Sequence, residues 1–276
     1  MNMLKTNIML ALFFAVAVNT HAQNSTYAVG ARSAGMGNAG AAKVDVWSTV
    51  TNQAALTLLP NVEISAYYKN SFGMSELSLN ALSVAIPTKA GVFSGLVAHF
   101  GFSEYSENKF AVAYAKRIWR MLSLSAQINC NSLHFTNAYQ NATAISGEVG
   151  LFADLADNFY VGAHVSNPVK SSLSIETKKY LPVRYKIGTA YKPISSLLMC
   201  ADFIYDDSSD VSFCGGMEYF LLEQLCLRAG ASVNPELFTL GAGYRYQQFN
   251  FDVAFNYHNV LGNISSISIS YKFNKK

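Results

Sequence analysis

After its first 22 residues the sequence holds no run of 18 apolar residues, which excludes a membrane-spanning helix over that stretch. Charged residues are scarce, at 13%, and nearly balanced at a net +3, so the footprint of a nucleic-acid binder is missing. Cys130, Cys200, Cys214 and Cys226 are the whole cysteine complement, and no His, Cys or acid spacing matches a metal site. No G-x-S-x-G element occurs, and no serine, histidine and acid fall at one level of neighbouring strands. Neither an enzyme nor a bound cofactor or metal is expected.

Residues 1–22 have a single charge, Lys5, an apolar core over 8–18, and Thr20-His21-Ala22 ahead of a cut at Gln23. That is the pattern of a secretory signal, because the core is too short for an anchor and no charged stop follows. The residue after the cut is not cysteine, so no lipid anchor is expected.

What the chain has in quantity is hydrophobic residues, at 51%, with 16 Tyr and 18 Phe. From Asn61 onward they alternate with polar ones. Over 249–258 every odd position is apolar or aromatic, and every even one except Ala254 is polar or charged. This is period 2, the signature of a strand with one apolar and one polar face. Fourteen such strands are predicted, at 62–72, 77–87, 93–103, 109–116, 122–135, 144–154, 159–165, 183–191, 197–204, 211–220, 225–232, 238–246, 249–257 and 266–273.

A soluble sandwich would alternate too, and the connections decide between the two. Those after even-numbered strands are all tight, whereas those after odd-numbered strands include the long ones, 136–143 and 166–182. Short turns at one end and longer loops at the other, with an even strand count, mark an outer-membrane barrel with periplasmic short turns. The expected fold is therefore all-β: a 14-stranded antiparallel transmembrane β-barrel, both termini periplasmic. Tyr68, Phe102, Trp119, Phe135, Tyr191, Tyr205, Tyr219, Tyr246, Tyr257 and Tyr271 are candidates for aromatic girdles at the membrane interfaces. Cys200 and Cys214, on adjacent strands, are placed nearly opposite one another, within reach of a disulfide if the register holds.

Residues 24–60 do not alternate. They are rich in small residues, and Gly35, Gly37 and Gly40 match G-x-G-x-x-G. A dinucleotide site is rejected, since no strand precedes the motif and no acid lies about 20 residues on. Fourteen strands enclose a space too wide for side chains to fill, and Trp47, Leu56, Leu58 and Leu59 are costly to leave in water. The expected domains are 1–22 signal peptide, 23–60 plug (hatch) and 61–276 barrel.

The run from Gly30 through Arg32, Gly35, Met36, Gly37, Asn38 and Gly40, followed by Asp45, Asn52 and Ala54, resembles the opening of the PorV/PorQ family of Bacteroidetes outer-membrane proteins. That family is similar to FadL-type long-chain fatty acid transporters, and the resemblance implies a 14-stranded barrel with an N-terminal hatch. The superfamily's Asn-Pro-Ala element maps onto Asn52, Gln53 and Ala54, so Gln53 stands where the pattern has proline.

Assigning polar faces to the lumen puts Glu148, Asp154, Arg184, Lys186, Asp202, Glu218, Arg228, Arg245, Asp252 and Lys272 inside, both signs in about equal number. A selectivity filter concentrates one sign, so these charges are read as braces for wall and plug, for example Glu218 with Arg228. His99, His134, His164 and His258 are read as lumenal hydrogen-bonders. The resemblance implies one of two functions: passive transport of a small hydrophobic ligand, or a docking role in type IX secretion with machinery or cargo proteins as partners. Glycines in the third strand, Gly91, Gly95 and Gly101, are read as close-packing sites in preference to a lateral opening near Gly95. Outer-membrane lipid is the expected surroundings, and a monomer the expected state.

Overall fold

The computed structural model describes residues 29–136, 141–174, 179–207, 209–260 and 262–274. The signal peptide expected over 1–22 lies outside the described residues. Fourteen strands pair in sequence order and close on themselves: β1 (Glu63–Ser71), β2 (Met74–Pro87), β3 (Val92–Gly101), β4 (Tyr105–Trp119), β5 (Leu122–Phe135), β6 (Ala142–Ala156), β7 (Phe159–Ser166), then β10 (Arg184–Ile194), β11 (Leu197–Asp206), β12 (Ser209–Phe220), β13 (Leu225–Val233), β14 (Leu237–Tyr246), β15 (Phe249–His258) and β16 (Gly262–Lys272). Two short strands, β8 (Ser172–Ser174) and β9 (Lys179–Tyr180), form a separate hairpin within the long 166–182 connection. That connection reads as polar loop in the sequence, because strands this short carry no alternation to detect.

Alternation explains the closure. On β15 the odd residues Phe249 to Tyr257 point outward and the even ones inward. Ala254, the apolar residue on the inner face, is buried against the short helix Ala31–Ala34 inside the barrel. On β2 to β6 one outward row, Leu82, Val97, Phe110, Cys130 and Ile145, is bonded strand to strand. The next row toward the long-loop end is wholly polar: Asn80, His99, Asn108, Ser132 and Thr143. The apolar band ends between these rows. Apolar outside and polar inside is the arrangement of a transmembrane barrel.

Two expectations change. His99 and His134 lie on the outer face, beyond the apolar band, and His99 bonds Asn108 at 2.8 Å; His164 and His258 alone point inward. Cys200 stands opposite Gly216, and Cys214 opposite Asp202, so the two cysteines are offset by two residues and both are free. A diagonal pair is too far apart for a disulfide. The β3 ladder runs unbroken through Gly95, which pairs with Val84 and Val112, leaving no gap in the wall there. Among the described ladders the register slips only near strand ends, at sites such as Arg117/Trp119 and Tyr191/Ile194.

Phe251 and Phe255 are exposed on the outer face. Replacing either with arginine is expected to cost about 2–4 kcal/mol of insertion if it lies near the bilayer midplane, read as folding yield into lipid vesicles. Folded protein is likewise expected to migrate faster on gels unboiled than boiled.

Candidate functional site

Residues 29–59 lie inside the barrel. They form α1 (Ala31–Ala34), α2 (Ser48–Thr51) and a 3-10 helix (Gln53–Leu58), joined by turns of small residues. Asn52 caps the 3-10 helix by accepting from the Ala54 amide at 3.2 Å, and the Asp45 carboxylate accepts from the Trp47 amide at 2.9 Å in the turn that leads into α2. Val29, Trp47 and Leu56 join inward residues of the wall such as Tyr67, Leu79, Leu96 and Ala254 in one apolar cluster.

Glycine lets backbone approach backbone. Gly37 has φ 67, and a Cβ there would lie 2.5 Å from the Ala231 carbonyl oxygen and 2.6 Å from that of Gly215. Farther round the wall, on β7, a Cβ at Gly162 would fall 1.9 Å from the Ala41 carbonyl oxygen. Gly35 packs on Gly241, and Met36, fully buried, on Gly216 and Gly230. Gly30 lies under the Trp47 ring, Ala54 is fully buried, and Asn38 turns the chain at φ 67.

Polar contacts fix the segment. Arg32 forks onto Glu218 of β12, Nε to Oε2 at 2.9 Å and NH2 to Oε1 at 2.6 Å, and reaches Asp45 at 3.4 Å. Arg228 of β13 approaches the same Glu218 at 2.7 Å and passes on to Asp252 of β15, also at 2.7 Å. Asp202 of β11 accepts the Gly40 and Ala41 amides at 2.8 and 2.9 Å. Across the lumen, Glu148 of β6 takes Lys109 at 2.9 Å, His164 at 3.1 Å and Gln53 of the segment at 2.8 Å. Asn52 donates to the Ala41 and Leu151 carbonyls at 2.8 and 2.9 Å. Gln53 thus supplies a hydrogen bond from the segment to the wall.

The remaining sequence-derived charges make no ion pair with this cluster among the described residues. Arg184 pairs with Asp206 toward the long-loop end at 2.7 Å. Lys186 stands beside His164 in the register. Asp154 pairs with Arg117 at 3.1 Å and Lys272 with Glu63 at 3.5 Å. Arg245 lies over the Phe220 ring at 4.1 Å. Sequence reasoning missed Lys43, Lys109 and Asp206. Lys43 is fully buried and paired with Asp45 at 2.7 Å, two residues on. Lys109 belongs to the inner face of β4, a strand whose predicted start, at that residue, left too little alternation before it to fix the phase.

Two cavities remain between segment and wall at the short-turn end. The larger, of 880 Å³, has an apolar side of Val44, Leu58, Tyr160, Leu198, Phe220 and Leu222 and a polar side that includes Arg32, Lys43, Lys192, Glu218, Glu223 and Arg245. The smaller, of 180 Å³, borders Trp47, Leu59, Glu63 and Asp252. Arg32 borders both. Among the described residues no group of three or more His, Cys, Asp or Glu is placed to hold a metal.

No family model matches the sequence, and no curated protein matches it. Solved structures do. A CymD monoaromatic hydrocarbon channel aligns with TM-score 0.69 and 14% identity over 91% of this chain and 99% of its own. A Pseudomonas aeruginosa FadL homologue aligns at 0.68 with 11% identity, covering 88% and 98%. The Pseudomonas putida toluene transporter TodX aligns at 0.64 with 13% identity, covering 87% and 96%. At such identities the likeness establishes the fold: a FadL-like barrel. It does not reach the PorV/PorQ family.

Glu218→Gln removes the charge facing the buried Arg228 and the half-buried Arg32 and is expected to lower stability by about 3 kcal/mol, read from unfolding in denaturant. Asp45 is pushed up by burial but pulled further down by Lys43 and then Arg32, so its carboxyl stays below the ordinary range. A depressed folded-state value stabilises above the unfolded pKa and loses that contribution as pH falls through the folded value. Docking of the segment, followed by Trp47 emission in a Trp119→Phe background, is therefore expected to hold down to about pH 4 and weaken below it. Asp45→Asn should lack that component.

Proposed function

We propose that the protein is an outer-membrane channel for passive uptake of a small hydrophobic compound, with residues 23–60 acting as its plug. The observation that carries this reading is the 880 Å³ space between segment and wall, where Val44, Leu58, Tyr160, Leu198, Phe220 and Leu222 offer an apolar surface beside the charged margin of Arg32, Lys43, Lys192 and Arg245. The apolar part of this lining offers contact to a ligand with apolar surface, and the charged margin to a polar end. The fold likeness supports it, since the aligned structures include channels for monoaromatic hydrocarbons and a toluene transporter. With β3 unbroken at Gly95, the proposed path leaves between the 3-10 helix and β10 to β13 and not through the wall.

In this reading the short turns and both termini face the periplasm, as in bacterial barrels. Glu218, Arg228, Asp252, Asp202 and Glu148 serve as the plug's seat, while Arg245 borders the route and Arg184 and Lys186 brace the wall. The resemblance of residues 30–56 to PorV/PorQ proteins implies a second role, docking of secretion machinery or cargo, and no contact within the barrel favours it.

Deleting residues 24–60 is expected to raise ion conductance in planar bilayers, and an unchanged current would refute the plug. Mass spectrometry of the gently extracted protein separates the two roles. A lipid-like molecule bound to the barrel alone supports transport, and stoichiometric protein partners support docking.

A further inference from the structure

The short-turn end carries a charge asymmetry that the lumen does not use. On the β2–β3 turn and the adjoining ends of β4 and β5 stand Lys89, Lys116, Arg117 and Arg120, all exposed. Arg117 is engaged by Asp154. Lys89, Lys116 and Arg120 have no ion pair among the described residues.

The backbone brings these groups together. Val92 pairs with Ala115, which sets Lys116 beside the β2–β3 turn, and the Tyr114 hydroxyl donates to the Ala90 carbonyl in that turn at 2.7 Å. Arg120 lies in the next turn beside Trp119, which is 68% exposed. Ile118 and Met121 flank it, both exposed. Above the cations, Phe93 and Tyr114 pack ring to ring at 4.9 Å on the outer face, where the apolar band begins.

We propose that this flank, Lys89, Lys116 and Arg120 around Trp119, gathers anionic phospholipid headgroups in the leaflet on the short-turn side. The inference rests on the membrane reading above. An indole at the edge of an apolar band sits at headgroup level, and basic residues at that depth meet lipid phosphates. A zwitterionic headgroup brings its own ammonium and cancels much of the attraction; a phosphatidylglycerol headgroup keeps its net charge. The position, immediately below lipid-facing aromatics, selects a bilayer lipid over a soluble anion.

The chain's two tryptophans make the test direct. Trp47 is 2% exposed inside the barrel, so quenching by lipid reports on Trp119, and a Trp119→Phe variant supplies the Trp47 background. The full mature protein is folded into phosphatidylcholine vesicles containing equal fractions of either phosphatidylglycerol or phosphatidylcholine brominated near the glycerol backbone. Quenching by the brominated phosphatidylglycerol is expected to exceed that by the phosphatidylcholine by about twofold or more and to fall with added salt. Lys89→Gln/Lys116→Gln/Arg120→Gln should remove the difference while leaving folding intact on gels. Equal quenching of the native protein by both lipids overturns the proposal and leaves the membrane reading standing. No quenching by either overturns both.

Discussion

Glu218 is where a buried carboxylate of the wall meets a charged side chain of the segment. A carboxylate taken out of water is tolerable only when its partners are close and directional. Here one arginine comes from the segment and one from the neighbouring strand, at 2.6 and 2.7 Å. The β12–β13 register that sets Glu218 opposite Arg228 and the helix that aims Arg32 are thereby linked. Asp252 then balances Arg228, and Asp45 with Lys43 balances Arg32 from within the segment. The cluster is close to neutral as a whole, which allows charge inside the barrel without a counter-ion from solvent.

The wall is shaped for what it holds. Gly162, Gly215, Gly216, Gly230 and Gly241 lie where the segment's backbone touches the strands, and elsewhere the inner face is largely serine, alanine and short amides. Small residues make room, and polar ones hold the segment by hydrogen bonds instead of by strand pairing. A segment held by side chains can move without breaking the barrel. The larger cavity, beside Leu58 of the 3-10 helix, is the space into which such movement would open.

Strand positions were legible because a membrane barrel imposes alternation on every strand: β5 and β15 read from the sequence nearly residue for residue. The same alternation identified Glu218, Arg228 and Asp252 as lumenal. It misplaced His99 and His134, since strands β3 and β5 continue past the lipid and their outer faces turn polar there. The cysteine offset was illegible because pattern fixes which face a residue takes but not its height relative to the next strand. Within the segment no periodicity exists. Lys43 with Asp45, and Gln53 with Glu148, depend on a tertiary arrangement that no local signal encodes.

The account turns on residues 29–59 occupying the lumen in the folded protein. Thr57 on the 3-10 helix and Ser123 on β5 place their hydroxyl oxygens 2.7 Å apart, one on the segment and one on the wall. With the four native cysteines replaced, Thr57→Cys/Ser123→Cys in membrane-inserted protein should form an internal disulfide nearly to completion, seen as a mobility shift on non-reducing gels. Persistence of both thiols in folded barrels under oxidising conditions would contradict the central claim.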